Sequence, residues 1–153
     1  RLNEESDGWH DGVLPGATVA AVHDAAAHVI ATGLVDLGVL DGDPAELAAE
    51  EKHKPFYPHQ TSHWLGLDVH DVGDYERGGQ SRVLEPGMVF TVEPGLYFGP
   101  PASEALEGAT ARFAGIGVRV EDDVLVTAAG CENLTAALPT GADALAKWVG
   151  RPR

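Results

Sequence analysis

Gly117–Thr127, GVRVEDDVLVT, is the stretch on which the fold turns. Val118, Val120, Asp122 and Val124 alternate with Arg119, Glu121 and Asp123, which is the two-residue period of a β-strand. Read as one strand, the segment puts Arg119 and Glu121 on the same face. A glutamate among valines is costly to bury unless positive charge compensates it. Arg119 does so in part, and a divalent cation does so more strongly. The plainer alternative is an ordinary surface pair between Arg119 and Glu121.

Working outward, Met88–Val92 and Leu96–Phe98 read as strands around Pro94-Gly95, with Glu93 ending the apolar run VFTV. Two carboxylates about 4 Å apart repel by roughly 4 kcal/mol at an effective dielectric near 20, so a site shared by Glu93 and Glu121 calls for a cation. Residues 99–114 read as a loop opened by Gly99-Pro100-Pro101. After Asn133 a short strand and a polar helix are expected. Upstream, Leu14-Pro15-Gly16 is a turn, and Thr18 is placed to cap a helix from Val19 to about Leu37. On it Val19, Val22, Ala26, Val29, Ile30, Gly33 and Leu37 recur at helical spacing, and Gly38 ends it. His23 and His28 read as partly exposed helix residues. Asp43 and Pro44 start a second short helix, Ala45–Glu51. Helices followed by strands indicate an α+β domain with an antiparallel sheet.

Between helices and strands lies Pro58–Tyr75, PHQTSHWLGLDVHDVGDY, where three of the seven histidines (His59, His63 and His70) fall together. Neutral imidazole is a common metal ligand and the usual proton carrier near neutral pH. Were the segment helical, the three would share a face; Gly66 and Val69 equally allow a path from loop to strand. Imidazole nitrogen with carboxylates from separate strands describes a site for manganese, cobalt, zinc or iron, not calcium.

The 153 residues suit one domain with a real core, and no apolar run approaches the roughly 20 residues of a membrane span. With 24 acidic against 10 basic residues the formal net charge is −14, which repels nucleic acid and anionic lipid, so neither is expected as a partner. The single Cys131 forms no intrachain disulfide and points to a reducing, cytoplasmic setting. Residues 1–12 are polar and aperiodic, so 1–13 is expected to be disordered or foreign to the domain formed by 14–153.

Three strings in order, HQTSHWLGLDVHDVGDY, LEPGMVFTVEPGLYF and GIGVRVEDDVLVT, resemble the proline-specific (Xaa-Pro) aminopeptidases of the pita-bread metallopeptidase family, over about Leu14 to Leu138. SHWLGLDVHD is closer to these than to Xaa-Pro dipeptidases or methionine aminopeptidases. The resemblance implies the C-terminal portion of a pita-bread catalytic domain, a curved and mostly antiparallel sheet backed by helices. It implies metal-dependent removal of the residue preceding proline, with two divalent ions, manganese foremost and cobalt or zinc acceptable. His63 then matches a histidine metal ligand, Glu93 a carboxylate ligand that also moves protons, and Glu121 the carboxylate shared by both ions. His59 and His70 match substrate-site histidines, with His70 on the substrate or the developing oxyanion, and Arg119 matches an arginine beside the shared glutamate.

In one respect the sequence departs from that family. Two further aspartate ligands are expected on a strand hairpin before the first helix, and Asp7 and Asp11 do not match them. The expectation is therefore a fragment, weak in metal binding and in peptidase activity by itself, that self-associates or pairs with the missing part of the enzyme. Its rivals are an Xaa-Pro dipeptidase of the same fold and a noncatalytic pita-bread module that binds peptides or proteins.

Overall fold

The computed structural model describes residues 10, 12–100 and 102–150. Helix α1 spans Val19–Asp36, and the Thr18 side chain caps it by accepting from the Ala21 N–H at 3.1 Å. Gly38, at φ 71°, turns the chain out of the helix so that the Val39 N–H reaches the Leu34 carbonyl at 2.9 Å. Val22, Ala26, Ile30 and Leu34 form the buried row, flanked by Ala27 and Ala31. Leu37 was expected on that face but is 38% exposed, because it already belongs to the cap. Helix α2 is Pro44–Ala49, slightly earlier than expected, with Asp43 accepting from the Ala45 and Glu46 N–H groups.

The strands correct the sequence reading in an informative way. β1 (Glu76–Arg77) and β2 (Gln80–Ser81) form a hairpin whose two-residue loop, Gly78-Gly79, has φ 60° and 77°. Both angles lie in the left-handed region that such tight hairpins need. β3 is Val89–Val92, β4 Gly95–Tyr97, β5 Gly117–Arg119, β6 Asp122–Val126 and β7 Cys131–Asn133. The single strand expected over Gly117–Thr127 is thus two, β5 paired with β4 and β6 paired with β3. The cause sits on the opposite strand. The Val120 N–H donates to the Pro94 carbonyl at 3.2 Å, but Pro94 has no N–H to return, so the ladder is interrupted there.

Register survives the interruption. Val92 pairs with Asp122 and Gly95 with Arg119, so Glu93 stands opposite Glu121 within one bent antiparallel ribbon. Phe90, Val92, Val124 and Val126 point to one side and form a core with Val13, Val22, Trp64 and Leu84. A second core under β4 joins Ala26, Ile30 and Leu34 to Phe56, Tyr57 and Phe98. Helix α1 contributes to both cores and so braces the two arms of the ribbon.

The histidine segment takes the path from loop to strand. Trp64 bridges Phe90, the Leu65 N–H meets the Val89 carbonyl at 3.2 Å, and the Thr91 and Glu93 N–H groups donate to His63 and Thr61 at 2.9 and 2.7 Å. It therefore runs along the free edge of β3, opposite β6. Instead of a plain loop, 99–114 contains two short 3₁₀ helices, Ala102–Ala105 and Gly108–Phe113. Strand β7 ends at Asn133 instead of beginning after it, and helix α3 (Ala142–Val149) follows. No described helix is long and apolar enough to cross a membrane. Of the residues expected to be disordered or foreign, 1–9 and 11 lie outside the described ones. Val13 is fully buried, and His10 Nε2 lies 3.3 Å from Asp122 Oδ2.

Phe90 is 1% exposed at the centre of the first core. In urea unfolding of the full-length protein, Phe90→Ala is expected to lose about 3–5 kcal/mol. Leu67→Ala, at a fully exposed position, should change stability by no more than about 0.5 kcal/mol.

Candidate metal centre

Residues of β3, β4 and β5 alternate in orientation, and odd-numbered positions share the face away from the first core. That face carries Thr91, Glu93 and Tyr97 on one side of the ribbon and Arg119 and Glu121 on the other. His63, held along the edge of β3, completes a group: one nitrogen of His63 and one oxygen from each of Glu93 and Glu121 lie within 4.8 Å of one another. Glu93 is 7% exposed, His63 half-buried and Glu121 exposed, so the cluster sits at the floor of an open face.

The hydrogen bonds place one proton of the imidazole. His63 Nδ1 lies 3.1 Å from the Trp64 carbonyl, which only accepts, so Nδ1 carries the proton. In the neutral ring the Nε2 lone pair then faces Glu93 Oε1 at 3.3 Å. A lone pair against a carboxylate is repulsive, and either a proton on Nε2 or a metal cation between the two relieves it. Two donors bound to one ion at about 2.1 Å stand about 3.4 Å apart at a tetrahedral angle, which this spacing fits. The donor set, nitrogen plus carboxylate oxygen, also fits a transition-metal ion.

Arg119 NH1 reaches Glu93 Oε2 at 3.1 Å, and its Nε donates to the Tyr97 hydroxyl at 2.7 Å. The Tyr97 hydrogen bond, with the Glu93 and Glu121 carboxylates, holds the guanidinium still more firmly protonated. His59 donates from Nδ1 to the Gln60 carbonyl at 2.8 Å, which leaves Nε2 to accept from the Tyr97 hydroxyl at 3.0 Å. His70 packs edge-on to His63, ring centres 4.4 Å apart. The six residues singled out in the sequence therefore gather on one face: His63, Glu93 and Glu121 as the donor cluster, Arg119 against Glu93, His70 against His63, and His59 joined through Tyr97.

Behind the cluster lies a network not foreseen from the sequence. Buried Thr61 bonds the Tyr57 hydroxyl at 2.5 Å and His23 Nδ1 at 2.9 Å, and its carbonyl anchors the Glu93 N–H. Burial pushes the Tyr57 hydroxyl up to about 12. His23 is partly exposed as read and also stacks on Tyr57, whereas His28, likewise read as partly exposed, is exposed. Burial pushes the His23 pKa down, and repulsion from His53, Lys54 and His59 works in the same direction. His53 is 3% exposed, neither ring nitrogen has a hydrogen-bond partner, and burial lowers its pKa too. Tyr97 and Thr91 had a usable signal, since each lies an even number of residues from Glu93 in a strand pattern. His23 and Thr61 had none, because their contact spans 38 positions of sequence.

Residues 9–128 match the model of Metallopeptidase family M24. The chain belongs to that family. Its relatives include the Xaa-Pro aminopeptidase of Escherichia coli K12, 52% identical over 124 residues, covering 81% of this chain and 27% of that protein. Among solved structures, Pseudomonas aeruginosa aminopeptidase PepP superposes with a TM-score of 0.83 at 49% identity, over 94% of this chain and 32% of that one. A zinc-substituted E. coli aminopeptidase P in complex with product gives 0.81 at 43% identity, over 98% and 33%. The M24 chain thus spans little more than a quarter of the length of these curated relatives and has the pita-bread fold of the corresponding third of the structures. Membership of M24 implies divalent metal ions, in agreement with the donor cluster.

His23 and His53 both titrate below the ordinary value of 6.5 in the folded chain. As pH falls through about 6.5 toward the folded values, the unfolded state binds more protons than the folded one, so stability falls. The urea midpoint of the full-length protein is expected to drop between pH 7 and pH 5. His53→Phe should flatten that dependence; an unchanged slope would remove His53 as a contributor.

Proposed function

We propose that this chain supplies His63, Glu93 and Glu121 to the dinuclear metal site of a peptidase that cleaves the N-terminal Xaa-Pro bond. The observation that supports it most directly is the convergence of His63, Glu93 and Glu121, one ligand atom of each within 4.8 Å of the others, with His63 Nε2 3.3 Å from Glu93 Oε1. The names of the relatives supply the substrate class, peptides with proline in second position. Two divalent ions, manganese foremost and zinc or cobalt compatible with the same donors, would activate water and polarise the scissile carbonyl.

The residues of the chain divide the remaining work. Glu93 takes the proton of the attacking water and returns it to the departing proline nitrogen. Arg119 holds the other oxygen of Glu93, which keeps that carboxylate aimed. His70 donates to the oxyanion as the carbonyl becomes tetrahedral. His59, set by Tyr97, lines the substrate side. Exposed Leu67, Val69 and Val72 beside His70 support association with a further protein surface, in a homo-oligomer or with another part of the enzyme. A cytoplasmic setting belongs to the same proposal and rests on the single cysteine.

The test uses the full-length protein with an Xaa-Pro dipeptide and longer Xaa-Pro peptides. Longer peptides are expected to be cleaved, chelation to abolish cleavage and a divalent ion to restore it. Glu93→Gln should lower kcat by about 10²–10⁴-fold. Cleavage confined to the dipeptide would make the protein a dipeptidase instead, and undiminished turnover in the variant would remove Glu93 from catalysis.

A further inference from the structure

Thr91 lies on β3 two residues before Glu93, hence on the same face, and is 1% exposed. At a buried strand position valine has the same shape and propensity without a hydroxyl to satisfy. The hydroxyl of Thr91 both accepts and donates. It accepts from the His63 backbone N–H at 3.0 Å and donates to Glu93 Oε1 at 3.2 Å. The Thr91 backbone N–H also donates to the His63 carbonyl at 2.9 Å. One residue therefore grips the backbone of one candidate ligand twice and the carboxylate of another once.

This arrangement replaces an ordinary ladder bond. The His63 N–H bonds a side-chain oxygen in place of a backbone carbonyl of β3, so the histidine segment is drawn toward Glu93 by a group that also touches Glu93. The carboxylate is in turn held at both oxygens, Oε1 by Thr91 and Oε2 by Arg119. Rotation of the carboxylate would break one hold or the other.

We propose that Thr91 is a positioning residue of the metal centre, its hydroxyl setting the distance and angle between the His63 imidazole and the Glu93 carboxylate. The inference rests on the metal reading above. Groups that orient ligands from behind govern affinity, and losing one weakens metal binding by about 10–100-fold.

The test is metal affinity, read without turnover. Full-length wild type, Thr91→Val and Thr91→Ser are stripped of metal. Each is titrated with zinc or manganese against a chromophoric chelator, and thermal midpoints are taken on the metal-free proteins. Thr91→Val is expected to bind about 10–100-fold more weakly, while Thr91→Ser, which keeps the hydroxyl and loses the methyl, binds as the wild type does. Equal affinity in Thr91→Val overturns the proposal, and so does a loss in Thr91→Ser as large as that in Thr91→Val, which would mark a packing role. If the valine variant does not fold, Thr91→Ala, which also lacks the hydroxyl, takes its place: binding about tenfold or more weaker than in Thr91→Ser supports the role, and affinity equal to the wild type overturns it. A wild type that binds no divalent ion overturns the metal reading itself, an outcome distinct from a wild type that binds with variants that bind equally.

Discussion

Two glutamates face each other across one antiparallel ribbon, and the rest of the site depends on how that repulsion is relieved. Directly opposed residues carry their Cβ atoms about 4.5–5.5 Å apart, and like charges so placed destabilise the sheet. Glu93 and Glu121 occupy such a pair at the point where Pro94 interrupts the ladder. The interruption releases both residues from regular pairing, so the carboxylates turn toward a common point. Arg119 neutralises part of the charge from the side. It reaches Glu93 without lying between Glu93 and His63, so that position is left for a cation. A pair of acidic side chains that would weaken a regular sheet becomes a place to hold an ion.

The third donor depends on a different physical device. A segment with two glycines and three histidines has little reason of its own to be ordered. Its order comes from the edge of β3, where the Thr91 and Glu93 N–H groups donate to the His63 and Thr61 carbonyls and the Val89 carbonyl accepts from the Leu65 N–H. Trp64 fills the core on one side while His63 meets the carboxylates on the other, which is the ordinary alternation of a strand. Tyr57, Thr61 and His23 then lock this edge to helix α1 from behind. Helix, histidine segment and ribbon are thereby hydrogen-bonded together at Thr61, whose carbonyl anchors the Glu93 backbone.

Much of this was legible in the sequence. Alternation in GVRVEDDVLVT gave Arg119 and Glu121 a common face, and that relation persists although the segment is two strands. Thr18, Gly38 and Asp43 announced the helix ends through local chemistry, which a sequence carries in full. What could not be read was non-local. The break at Val120 is caused by a proline on the opposite strand, visible only once the pairing is known. The path of the histidine segment depended on β3 offering a free edge, so spacing alone left helix and strand open. The contact of His23 with Thr61 was not legible because the two are 38 positions apart in sequence. Thr91 and Tyr97 fall between these cases: the two-residue period pointed to their face, but their roles needed distances.

The central claim, that His63, Glu93 and Glu121 hold a divalent ion together, is tested most directly by anomalous diffraction from crystals of the full-length protein equilibrated with zinc or manganese. The account requires an anomalous peak about 2 Å from His63 Nε2 and from oxygens of both glutamates. A peak bound elsewhere, or density showing the Glu93 carboxylate turned away from His63 with metal present, would contradict it.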